Sequence, residues 1–153
     1  MKMIVVDGEE HITWLLKRAF HHWRRTLNDA VSVENVTSEQ IGVMRHLSGT
    51  PGLSGAELAR RNFITPQAAQ LSLATLERRG LIERRPDAKG GRSLGAYLTP
   101  EGVRVADEAV AHAHQVEEDL LSVFDAAEKE AFREFLIRLT SRARPIAERD
   151  GEP

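Results

Sequence analysis

Four residues between Thr65 and Gly80 carry the chemistry that stands out in this chain. Gln67 and Gln70 are amides three residues apart, and Ala68 and Leu71 put a small and a larger apolar group beside them. On one face of a helix this set suits the edges of DNA bases. Gln can pair bidentately with adenine, and apolar groups meet the thymine methyl in the major groove. Other chemistries find less support. There is no Ser/His/Asp order with a supporting motif, and Gly90-Gly91 is a lone pair with nothing after it that reads as a phosphate-cradling loop. Catalysis is not expected, and no cofactor is implied. His112 and His114 are two apart on a helix and point in different directions, and His21-His22 share the defect, so no metal site is expected.

The elements that must position these groups are well punctuated. Thr65 is a good N-cap, Pro66 suits the first helical position, and Gly80 takes a left-handed C-terminal conformation without a Cβ clash. Ala69, Leu73 and Leu76 recur at i, i+4 and i+7, so the opposite stripe faces a core. The spacing predicts a recognition helix over 66–80, preceded by a short helix over 55–61 with Ser54 as its cap and Asn62-Phe63-Ile64 as the turn of a helix-turn-helix. After Gly80 the period becomes extended. Segments 81–85 and 94–98 read as strands around a tip holding Lys89, Gly90, Gly91 and Arg92. A helix-turn-helix followed by a basic hairpin is a winged helix.

Asp7 with Glu10, Thr37 with Gln40, and Asp125 with Glu128 have the spacing of capping boxes, and Thr99-Pro100 repeats the cap-then-proline start. Helices are therefore expected over 8–31, 38–47, 100–122 and 126–143. The fold class is mainly α: a winged helix-turn-helix of six helices with a small β-hairpin wing, one domain over 1–153, with a DNA-binding lobe at 37–99.

Charge divides along the chain. Residues 54–104 hold nine Lys/Arg and five Asp/Glu, a net of +4, and residues 105–153 hold six and twelve, a net of −6. A basic middle suits a face that meets polyphosphate. The 153 residues allow one core-forming domain. With no cysteine there is no disulfide framework or thiolate metal site. No apolar run approaches the ~20 residues of a membrane span, and the opening residues are too short for a secretory signal, so the cytoplasm is the expected compartment.

The terminal segments, about 8–31 and 100–147, carry more apolar surface than the middle can cover, including Leu15, Phe20, Trp23, Phe124, Phe132 and Phe135. Burial against a second copy solves this. An isologous homodimer would set two recognition helices one DNA turn apart, ~34 Å, for a palindromic site.

The segments Leu76-Glu77-Arg78-Arg79-Gly80-Leu81-Ile82-Glu83-Arg84 and Leu98-Thr99-Pro100-Glu101-Gly102 resemble the multiple-antibiotic-resistance regulator (MarR) family of bacterial transcription factors, over about residues 9–147. The resemblance implies a homodimer on double-stranded DNA at palindromic promoters, released by a small aromatic or anionic effector. It implies DNA contacts from Thr65, Pro66, Gln67, Ala68 and Gln70, and from Arg92 in the minor groove. Two positions depart from the family pattern. Gly90 stands where an acidic wing residue is usual, and Leu71 where the recognition helix often bears Arg or Lys.

Ser54, Arg78, Arg84 and Lys89 are expected to contact DNA as well, the cations at phosphates. Trp14 and Arg18, at i and i+4, could hold an aromatic carboxylate between an indole face and a guanidinium. The plainer reading is that Trp14 packs at the dimer interface. The rival functional reading is a winged helix used for protein–protein association without an operator, with exposed Leu71 as its anchor.

Overall fold

A computed structural model of the chain describes residues 11–86 and 94–142. The elements in order are α1 (Ile12–Val31), a short 3-10 turn (Ser32–Glu34), α2 (Ser38–Gly49), α3 (Gly55–Arg61), α4 (Pro66–Arg78), β1 (Ile82–Pro86), β2 (Leu94–Leu98), α5 (Pro100–Leu121) and α6 (Ala126–Arg142). The cap chemistry explains most of these boundaries. In α2 the Gln40 amide N–H donates to Thr37 Oγ1 at 3.3 Å while the Thr37 N–H donates to Gln40 Oε1 at 3.1 Å. Ser54 and Glu57 make the same reciprocal pair at α3, as do Asp125 and Glu128 at α6. Each pair satisfies donors that a helix start leaves unpaired.

Helix ends fall within one or two residues of those expected, and two starts shift. The helix expected from Gly8 begins at Ile12, because His11 is extended (φ −77°, ψ 125°) and breaks the helical path; the Asp7–Glu10 box lies outside the described residues. β1 is displaced by one residue, since Leu81 closes α4 instead. The Leu81 N–H donates to the Leu76 carbonyl and the Gly80 N–H to that of Glu77, both at 2.9 Å. With Gly80 at φ +70° these bonds form the left-handed helix stop that only glycine adopts without strain.

The chain divides into two compact units, Met1–Val116 and Glu117–Pro153. In the first, Met44, Leu47, Leu58, Leu73, Leu76 and Leu81 are among the fully buried side chains, so α2, α3 and α4 share one core. β1 and β2 pair antiparallel, with Ile82 opposite Leu98 and Arg84 opposite Ala96. The chain before α3 adds a bridge to this hairpin: Ala96 donates to the Leu53 carbonyl at 3.0 Å, and Gly52 donates to that of Ala96 at 2.8 Å. Along α1 only Leu27 and Val31 are buried, while Ile12, Leu15, Leu16 and Phe20 are exposed. In the second unit Phe124 and Phe132 stack at 5.7 Å, and every described residue of α6 escapes burial, Phe135, Ile137 and Leu139 being exposed. The apolar surplus expected of the terminal helices is present on both.

Candidate nucleic-acid interface

α4 is built as a two-faced helix. Thr65 Oγ1 accepts from the Ala68 N–H at 3.1 Å, and Pro66 occupies the first turn without wasting a donor. Ala69, Ser72, Leu73 and Leu76 form the buried stripe. Gln67, Gln70, Leu71, Ala74 and Arg78 face solvent, with Ala68 at the margin. Leu71 is 70% exposed, although its type favours burial. The structure thus brings Thr65, Gln67, Gln70, Leu71 and Arg78 to one accessible face.

Two expected contacts look different at the atomic level. The Ser54 hydroxyl donates to Glu57 Oε2 at 2.7 Å and accepts from the Glu57 N–H, so it serves the cap of α3. Its hydrogen bond, with the Ser54 main chain and then Arg61 and Arg60 adding to it, holds the Glu57 carboxyl below its ordinary range. Arg84 was expected at phosphate, but its side chain is only 20% exposed and turned toward α4. Its Nη1 donates to Gln70 Oε1 at 3.3 Å, and its Nε sits 3.4 Å from the Glu77 carboxylate, an ion pair without hydrogen-bond alignment. Lys89 and Arg92 lie outside the described residues.

Three participants have no local signature in the sequence. Arg79 donates to the main-chain carbonyls of Glu34 and Asn35, tying the end of α4 to the turn after α1. Gly55 leaves open the space beside the Gln70 amide, where a Cβ would collide with Nε2. Arg85 lies 4.3 Å from the centroid of the Tyr97 ring on the paired strand, so one wing cation is held on the hairpin by stacking. On α1, Trp14 is 47% exposed, and the cation over its indole is Lys17, with Nζ 4.9 Å from the ring centroid; Arg18 is exposed.

The MarR family model matches residues 34–93, the span from the 3-10 turn to the residue before β2. The chain is also 35% identical over 128 residues to the HTH-type transcriptional repressor Rv2887 of Mycobacterium tuberculosis, covering 84% of this chain and 92% of that protein. The chain belongs to the MarR family. Solved MarR structures share its fold. Rv2887 in complex with DNA superimposes with a TM-score of 0.71 at 32% identity, over 84% of this chain and 97% of that one. The same protein with salicylic acid gives 0.70 at 34%, over 84% and 96%. The PcaV transcriptional regulator of Streptomyces coelicolor, in complex with its natural ligand, gives 0.81 at 27%, over 93% and 100%. In this MarR chain, α3 and α4 are the helix-turn-helix and β1–β2 the stem of the wing.

Proposed function

We propose that the protein is a sequence-specific DNA-binding transcriptional regulator, a homodimeric repressor that a small aromatic or anionic effector removes from a palindromic promoter site in the cytoplasm. The observation that carries this reading is the division of α4. One face is locked into the core, and the other offers two amides, two apolar groups and a cation at solvent. That composition suits major-groove edges flanked by phosphate. The repressor name of Rv2887 and its complexes with DNA and with salicylic acid support it. Among the described residues no helix is long and apolar enough to cross a membrane.

In this reading Gln67, Ala68, Gln70 and Leu71 meet bases, Thr65, Pro66 and Arg78 fit the helix to the backbone, and Arg92 with Lys89 at the wing tip reaches the flanking groove. The exposed apolar stripe of α1 and the bare face of α6 supply the dimer contact. An effector acts only through its preference between dimer geometries. A compound that favours a spacing other than one DNA turn shifts the population off the operator, and one without such preference shifts nothing.

The test is a fluorescence-anisotropy titration with the duplex upstream of the protein's own coding region against a scrambled duplex, with sedimentation to count copies. Nanomolar, salt-sensitive binding by a dimer, reversed by an aromatic acid, supports the proposal. Equal weak binding to both duplexes favours a protein–protein module anchored on Leu71. Trp14 and Arg18 remain the proposed effector contacts only if an aromatic acid that releases DNA also changes tryptophan fluorescence.

A further inference from the structure

Gln70 is not free to choose which end of its amide it presents. Arg84 faces it with a guanidinium, which has five N–H donors and no acceptor. The amide atom turned to Arg84 must therefore be the oxygen, and Nη1 donates to Oε1 at 3.3 Å. Arg84 is itself held: its side chain is 20% exposed, and Glu77, two turns further along α4 than Gln70, sits 3.4 Å from Nε. The other side of the amide is fixed by omission, because Nε2 lies where a Cβ on Gly55 would stand. Three elements, α3, α4 and β1, thus converge on one exposed side chain and set its rotamer.

We propose that Arg84, positioned by Glu77, commits Gln70 to the role of hydrogen-bond donor, so that Gln70 selects an acceptor edge in the major groove, guanine foremost. This rests on the reading of α4 as the recognition helix. The bidentate adenine pairing open to a free Gln needs the amide oxygen to accept from N6–H while the nitrogen donates to N7. Oε1 keeps a second lone pair, but an adenine amino group brought to it arrives beside the Arg84 cation, donor against donor. Cytosine presents only a donor there. Guanine offers N7 and O6, both acceptors, to the Gln70 NH2, and its negative edge is favoured by the same cation. Arg84 is a positioning residue in this scheme: it reads no base, yet it decides which base Gln70 reads.

The experiment is selection of bound duplexes from a random-sequence pool by full-length wild type, Gln70→Ala, Arg84→Met and Gly55→Ala, with each variant's thermal melt recorded. Wild type is expected to enrich guanine at one position of each half-site, and Gln70→Ala to lose that preference. Arg84→Met frees the amide oxygen, and adenine should gain on guanine at that position by roughly fivefold, the worth of one hydrogen bond. Gly55→Ala displaces the amide while leaving the Arg84–Glu77 pair intact, so it tests the same rotamer if Arg84→Met does not fold; it should weaken the guanine preference too. A Gln70-dependent preference for adenine or cytosine in wild type overturns the proposal. So does an Arg84→Met protein that loses affinity for all duplexes alike with its base preference unchanged, or, where Arg84→Met does not fold, a Gly55→Ala protein whose guanine preference is untouched. If wild type enriches a site and Gln70→Ala enriches the same one, only the role of Gln70 fails. If wild type enriches nothing, the DNA-binding reading itself has failed.

Discussion

The Arg79 guanidinium donates to the Glu34 carbonyl oxygen at 2.9 Å, across 45 positions of sequence, and its second nitrogen reaches Asn35. A side chain at the end of the recognition helix thus holds a turn whose Asn35 is left-handed at φ +53°. Both acceptors are main-chain oxygens, and Arg79→Ala removes this donor from both, leaving the turn its own Asn35 N–H to Ser32 carbonyl bond. Two hydrogen bonds to a charged donor predict a loss of about 2–4 kcal/mol. The check is a lowered urea midpoint with an unchanged slope. Arg79→Lys should recover part of it, since an ammonium is a point charge and not a fork.

Phe63, in the turn of the helix-turn-helix, has φ +54° and is 91% exposed. It bears left-handed strain and buries almost nothing in return. Phe63→Gly is therefore expected to stabilise the fold by about 0.5–1 kcal/mol, raising the melting temperature by about 1–4 °C. A fall would mean that the ring packs against something in solution.

Gly102 begins α5 against the backbone of Leu81, where a Cβ would collide with the Leu81 carbonyl oxygen. Backbone cannot step aside as a side-chain tip can. Gly102→Ala should cost at least about 3 kcal/mol, read as loss of soluble protein or a large drop in the urea midpoint.

The Glu57 carboxyl titrates below its ordinary value of 4.5, chiefly because the Ser54 hydroxyl donates to it. A depressed folded value means that the ionised cap stabilises the fold above about pH 4.5 and that this contribution is lost as pH falls through the folded value. Glu57→Gln should thus be less stable than wild type at pH 7, with the gap closing below pH 4.5. Urea midpoints across that range test it; a constant gap would remove ionisation from the cap.

Arg78 is exposed at the end of α4, and Arg92 is the cation that the family resemblance assigns to DNA. Alanine at either is expected to weaken binding to all duplexes and to flatten the log–log salt dependence by about one unit each. An unchanged slope would take that residue out of the interface.

What could be read from the sequence was local. Thr37 with Gln40, Ser54 with Glu57, and Thr65 before Pro66 announce helix starts within four residues, and each cap is present. Gly80 announced the stop in the same way. The buried stripe of α4 was equally legible, since 3.6-residue spacing decides which face turns inward. The long-range pairings were not. Nothing in the spacing says that Arg84 turns from solvent to Gln70 and Glu77, that Arg79 spans to Glu34, or that Gly55 makes room for an amide fifteen positions on. The left-handed Phe63 is hidden for a related reason: its turn is closed by the Phe63 N–H on the Arg60 carbonyl and the Ile64 N–H on the Ala59 carbonyl, against the preference of a phenylalanine.

Thr99 joins the two ends of the helices it separates. Its hydroxyl donates to the Gly80 carbonyl at 2.7 Å and accepts from the Gly102 N–H at 3.0 Å, while its own N–H reaches the Leu81 carbonyl at 3.0 Å. One residue is thereby riveted to the stop of α4 and to the first turn of α5. If an effector tilts α5 in changing the dimer geometry, these three bonds make Thr99 the joint through which the tilt would reach α4, a lever and not a wire.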